Sequence, residues 1–119
     1  MKGNISIYMC YKENSVFLKE ENRDGYIVSA LMKKVWAVEL DLLSELDRVC
    51  KKYNIKYYAA FGTLLGAVRN KGFIPWDDDI DVCMLRDDYA KFKEVAKNEF
   101  GGKYYYQDWY NSCGRTWIF

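Results

Sequence analysis

Apolar residues recur three and four positions apart between Ser29 and about Tyr53, at Leu31, Val35, Val38, Leu42, Leu46 and Val49, the spacing that lines one face of a helix. The pattern predicts a long amphipathic helix whose opposite side, with Lys33, Lys34, Glu39, Glu45 and Lys51, faces solvent. Asn54 marks its end. Lys56 to Phe61 holds Tyr57, Tyr58 and Phe61, an aromatic-rich composition that suits a strand, and Gly62 breaks it. Thr63 to Arg69 reads as a short helix, Gly72 to Trp76 as a loop because Pro75 cannot continue a helix, and Asp79 to Met84 as a second strand. From Asp87, residues Tyr89, Phe92, Val95, Ala96 and Phe100 restore helical spacing, with Asp87 or Asp88 as cap and Gly101-Gly102 as terminator. Lys103 to Gln107 offers a third strand. Upstream, Ile5 and Ile7 alternate with polar residues, and Glu20 to Gly25 reads as a loop. Helix, strand, short helix, strand, helix, strand is the order of an α/β layer arrangement.

The chain has 119 residues, room for one domain with its own core. Eighteen basic against 17 acidic side chains give no field of the kind that draws proteins to nucleic acid, so no nucleic-acid partner is expected and any bound anion is met locally. No histidine is present, which excludes Ser/His/Asp and Cys/His nucleophiles, histidine-ligated zinc and a histidine base. Chemistry must run on carboxylates, lysine, arginine, tyrosine or a metal. Cys10, Cys50, Cys83 and Cys113 form no close pair, which fits a reducing cytoplasm and argues against a four-thiolate zinc site. No apolar run is long enough to span a membrane.

The unusual residues concentrate between Gly62 and Asp81, GTLLGAVRNKGFIPWDDDID. At its start a strand runs through Gly62-Thr63 into a helix, so backbone amides and the positive end of a helix dipole meet, an arrangement suited to phosphate. Arg69 and Lys71 add cations nearby. At its end Asp79 and Asp81 alternate with Ile80 and Val82, and on a strand both carboxylates share one face with Cβ atoms roughly 7 Å apart. A hard divalent cation, Mg²⁺ or Mn²⁺, bridging them is the natural relief of their repulsion; a solvated acidic turn is the plain alternative. An EF-hand also places Asp77, Asp79, Asp81 and Asp88 at ligand positions, but Val82 replaces the turn glycine and Pro75 interrupts the entering helix.

This segment resembles the signature of the LicD family, phosphocholine transferases and relatives that decorate bacterial cell-surface polysaccharides; fukutin-type enzymes carry a similar segment. Val28 to Tyr53 is similar to the family's preceding helix, and Arg86, Asp87, Asp88 and Tyr89 to its Arg-Asp-Tyr, so residues 24 to 108 are covered. The resemblance implies a nucleotidyltransferase-like fold of the DNA polymerase beta superfamily, a mixed sheet flanked by helices, formed by a single domain over residues 1–119 whose family counterpart continues beyond residue 119. It implies that Gly62 and Thr63 meet phosphate, that Asp79 and Asp81 are the catalytic metal pair, and that Arg69 is a further phosphate contact. Asn70 stands where many members carry histidine. The superfamily's third carboxylate has no clear counterpart, Asp108 being one candidate.

The function that follows is Mg²⁺-dependent transfer of a phosphorylated alcohol such as phosphocholine from a CDP-linked donor to a sugar hydroxyl of a cell-surface glycan. Two alternatives stand beside it. One is a glycosyltransferase using Asp79-Ile80-Asp81 on a nucleotide sugar; the other is a noncatalytic nucleotide- or metal-binding module. The aromatics Tyr104, Tyr105, Tyr106, Trp109, Tyr110 and Trp117 read as core.

Overall fold

The computed structural model describes residues 16–108; the Ile5–Ile7 alternation, Cys10, Cys113 and the aromatics from Trp109 onward lie outside them. Its elements are β1 (Glu21–Arg23), β2 (Tyr26–Val28), α1 (Ala30–Lys52), β3 (Tyr58–Ala59), α2 (Phe61–Arg69), β4 (Val82–Cys83) and α3 (Arg86–Glu99). The predicted α/β composition holds. In place of one mixed sheet, the described residues form two separate two-stranded sheets, β1 antiparallel with β2 and β3 antiparallel with β4.

The first hairpin corrects the loop expected at Glu20 to Gly25. Asp24 (φ 53°) and Gly25 (φ 84°) both take positive φ, the turn whose twist matches paired strands, and Asp-Gly is its ordinary sequence. The strands at Lys56 to Phe61 and Asp79 to Met84 shrink to two residues each, and residues 103–107 form no strand.

Helix α1 begins and ends as its sequence requires. Ser29 caps it, its hydroxyl accepting from the Met32 amide at 3.1 Å. At the other end Asn54 adopts φ 52°, the Ile55 amide reaches back to the Cys50 carbonyl at 2.8 Å and the Asn54 amide to Lys51 at 3.4 Å, the paired bonds of a Schellman stop. The buried face differs from the expected one. Trp36, Val49 and Cys50 are inside, while Leu31, Val38 and Leu42 are exposed. Lys33, expected in solvent, is 1% exposed: its ammonium lies over the rings of Phe17 and Trp36 and pairs with Glu21 at 3.0 Å, so the buried charge is not left bare.

The main core joins the last turns of α1 to α3 through Val49, Cys50, Ile55, Phe92 and Ala96. Helix α3 starts one residue before the expected Asp87, and Leu85 takes the cap position with no side-chain bond; Asp88 instead accepts the Lys56 amide at 3.3 Å. Phe100 and Tyr106 extend this core, both rings lying within 6.0 Å of Phe92.

Candidate functional site

Two short segments meet at the site. The first is the amino end of α2. Its first helical bond runs from the Leu64 amide to the Ala60 carbonyl, so the amides of Gly62 and Thr63 belong to the turn whose N–H groups have no carbonyl four residues back. Phe61 enters this turn at φ 47°, a left-handed conformation that costs an aromatic residue about 1 kcal/mol or more, with its side chain in solvent.

The second is the acidic segment after Pro75. Asp81 lies beside the α2 turn: its amide donates to the Thr63 hydroxyl at 2.8 Å, and its carbonyl accepts the Ala60 amide at 3.0 Å. Asp77 lies against Gly62 so closely that a Cβ there would stand 2.5 Å from Asp77 Oδ2. The absence of a side chain at position 62 is therefore what lets the carboxylate approach the helix end. Helix α1 fixes the segment from behind: the Trp36 indole N–H donates to the Asp77 carbonyl at 2.7 Å, and its ring stacks on Phe73 at 4.8 Å.

Asp77, Asp78 and Asp79 each present a carboxylate oxygen within 4.8 Å of the others. Asp81 belongs to the neighbouring extended chain, its charge felt by Asp77. The expected strand pair thus becomes a tight group of three consecutive aspartates with Asp81 next to it, since β4 begins only at Val82. Burial, then the charges of Asp79 and Asp78, push the Asp77 carboxyl above its ordinary value. This like-charge crowding in an oxygen-only donor set fits a hard divalent cation.

Glu39 of α1 also faces the group. Burial raises its pKa, followed by the charges of Asp79 and Asp78, while the Ile80 amide favours its ionised form. Helical periodicity assigned Glu39 to the solvent face; only the docking of the acidic segment on α1 reveals it, and no spacing rule joins residues so far apart in the chain. Arg69 is the sequence candidate least tied to the site. It is exposed at the far end of α2, where its Nε donates to the Asn70 side chain at 3.1 Å, and six helical steps of rise place its backbone about 9 Å from that of Thr63. Asp108 is linked to Lys97 at 3.8 Å.

The amino end of α2 and the group of three carboxylates thus stand side by side. Residues 54–117, more than half of the chain, match the family described as LicD/FKTN/FKRP, nucleotidyltransferase domain, and the chain belongs to the LicD family. It is 54% identical over 56 residues to the lipopolysaccharide cholinephosphotransferase LicD of Haemophilus influenzae, covering 47% of this chain and 21% of that protein. It is 34% identical over 103 residues to the uncharacterized protein RP689 of Rickettsia prowazekii, covering 85% of this chain and 38% of the relative. The chain thus spans well under half the length of these relatives. No solved structure matches it. Among the described residues no helix is long and apolar enough to cross a membrane.

Proposed function

We propose that the chain carries the donor-phosphate and metal-binding part of a transferase that moves a phosphorylated alcohol, phosphocholine or a close analogue, from a CDP-linked donor to a sugar hydroxyl of a cell-surface glycan. The observation that carries this reading is the meeting of the α2 turn with the acidic segment through Thr63–Asp81 and Gly62–Asp77. Similarity to a lipopolysaccharide cholinephosphotransferase supports the substrate class.

In this reading the amides of Gly62 and Thr63 orient the donor diphosphate, aided by the positive end of the α2 dipole. Asp79 and Asp81, with Asp77 beside them, are the residues that would hold Mg²⁺ or Mn²⁺. Bound there, the metal supplies charge neutralisation at the leaving phosphate. Arg69 serves an outlying phosphate or the acceptor, reached by its long side chain. With no histidine in the chain, the proton of the acceptor hydroxyl passes to a carboxylate of this group.

Asp79→Asn and Asp81→Asn are each expected to abolish transfer of phosphocholine from CDP-choline, followed by phosphorus NMR, with circular dichroism unchanged. Transfer surviving both substitutions sinks the assignment.

A further inference from the structure

A cavity of about 260 Å³ opens beside the acidic segment. Leucines of α1, Leu42 and Leu46 among them, form one wall, and Tyr104, Tyr105 and Tyr106 form another. Two of these rings are held in place. The Tyr104 hydroxyl donates to Asp41 at 3.2 Å, and Tyr106 packs against Phe92 and Phe100. Tyr105, 75% exposed, stands at the mouth.

The charged residues lining the cavity are both acidic, Glu39 and Glu45. Glu45 is matched by Arg48 at 2.7 Å, whereas no lysine or arginine pairs with Glu39 among the described residues. An anion would meet repulsion here. A primary ammonium would lose hydration to apolar walls that offer it little in exchange. A quaternary ammonium suits the combination: it is bulky, weakly hydrated and lacks N–H groups, so aromatic faces and one nearby carboxylate satisfy it. The cavity also joins the site already described, because Ile80, between Asp79 and Asp81, lines it, and Glu39 borders both.

We propose that this tyrosine-walled cavity is the subsite for the quaternary ammonium of the transferred alcohol, with Glu39 as its counter-charge and Tyr104, Tyr105 and Tyr106 as its aromatic wall. The assignment rests on the transferase reading, since it requires a phosphate at the acidic segment next door. It makes specificity a property of the chain's own aromatic segment, separate from the phosphate and metal residues.

The test uses the full chain with choline, tetramethylammonium and ethanolamine as probes. Intermolecular NOEs are expected from the N-methyl protons to the rings of Tyr104 to Tyr106 and the methyls of Leu42 and Ile80. Choline should bind at least about tenfold more tightly than ethanolamine, and Tyr105→Ala and Glu39→Gln should each weaken choline by about fivefold or more. N-methyl contacts to other residues, equal binding of choline and ethanolamine, or no binding of either overturns the proposal. Transfer assays with CDP-choline and CDP-ethanolamine separate the two readings. Equal rates for both donors would leave the transferase standing and remove the subsite; choline seated in the cavity of a chain that transfers neither would do the reverse.

Discussion

Gly66 sits where α2 passes the loop leading to Pro75, and a Cβ there would stand 2.5 Å from the Gly72 carbonyl oxygen and 3.0 Å from the Ile74 amide nitrogen. Both neighbours are backbone and cannot swing aside. Gly66→Ala is therefore expected to lower stability by about 2 kcal/mol, measured as a shift in the urea midpoint. Gly62 presents the opposite case, because its nearest neighbour is the end of a side chain, Asp77 Oδ2. Gly62→Ala should fold with a near-normal midpoint yet displace that carboxylate, weakening Mg²⁺ binding by about tenfold or more in calorimetry. Retention of full affinity would separate Asp77 from the metal group. The two described cysteines diverge in the same local way. Burial, then Asp47 and Asp88, push the Cys50 thiol up to about 11, while Cys83 is exposed on β4. Iodoacetamide at pH 8 should modify Cys83 and spare Cys50 until the chain unfolds, as peptide mapping would show.

At the scale of elements, local signals acted where the chain satisfies itself locally. Helix α1 is capped by Ser29 and stopped by Asn54 through backbone bonds that depend on no distant partner, and both ends were legible. Ser29→Ala should cost about 1 kcal/mol, seen in thermal melts followed at 222 nm. The face that α1 buries was not legible. Period alone cannot tell that Trp36 docks on Phe73, or that Lys33 finds Glu21 across the hairpin; these choices belong to elements that the helix meets only after folding. The strands were over-read for a related reason. Aromatic and β-branched residues at positions 56–61 and 79–84 favour extended chain, but only Tyr58–Ala59 and Val82–Cys83 find each other as ladder partners. For the site, the type and order of Gly62, Thr63, Asp79 and Asp81 singled out two segments that the fold brings together. The close grouping of Asp77 with Asp78 and Asp79, and the approach of Glu39, arise from a loop turned by Pro75 and anchored to α1, which no spacing encodes.

For the whole molecule, the carboxyl ends of α1 and α3 are tied together by Glu99, which accepts from Lys52 at 2.7 Å, from the Tyr53 hydroxyl and from Arg48 at 3.4 Å. The bonds from Lys52 and Tyr53 hold its carboxyl down at about 2 against an ordinary 4.5. A carboxyl depressed on folding contributes stability that is complete above its unfolded value and fades as pH falls from about 4.5 toward 2. Urea midpoints measured across that window should drop in the native chain, and Glu99→Gln should flatten the drop. At the other end of the molecule, the Asp77 carbonyl hangs on one indole. Trp36 is thereby a built-in optical probe: with the other three tryptophans, Trp76, Trp109 and Trp117, changed to phenylalanine, its emission would follow the filling of the acidic segment in real time, without any attached dye.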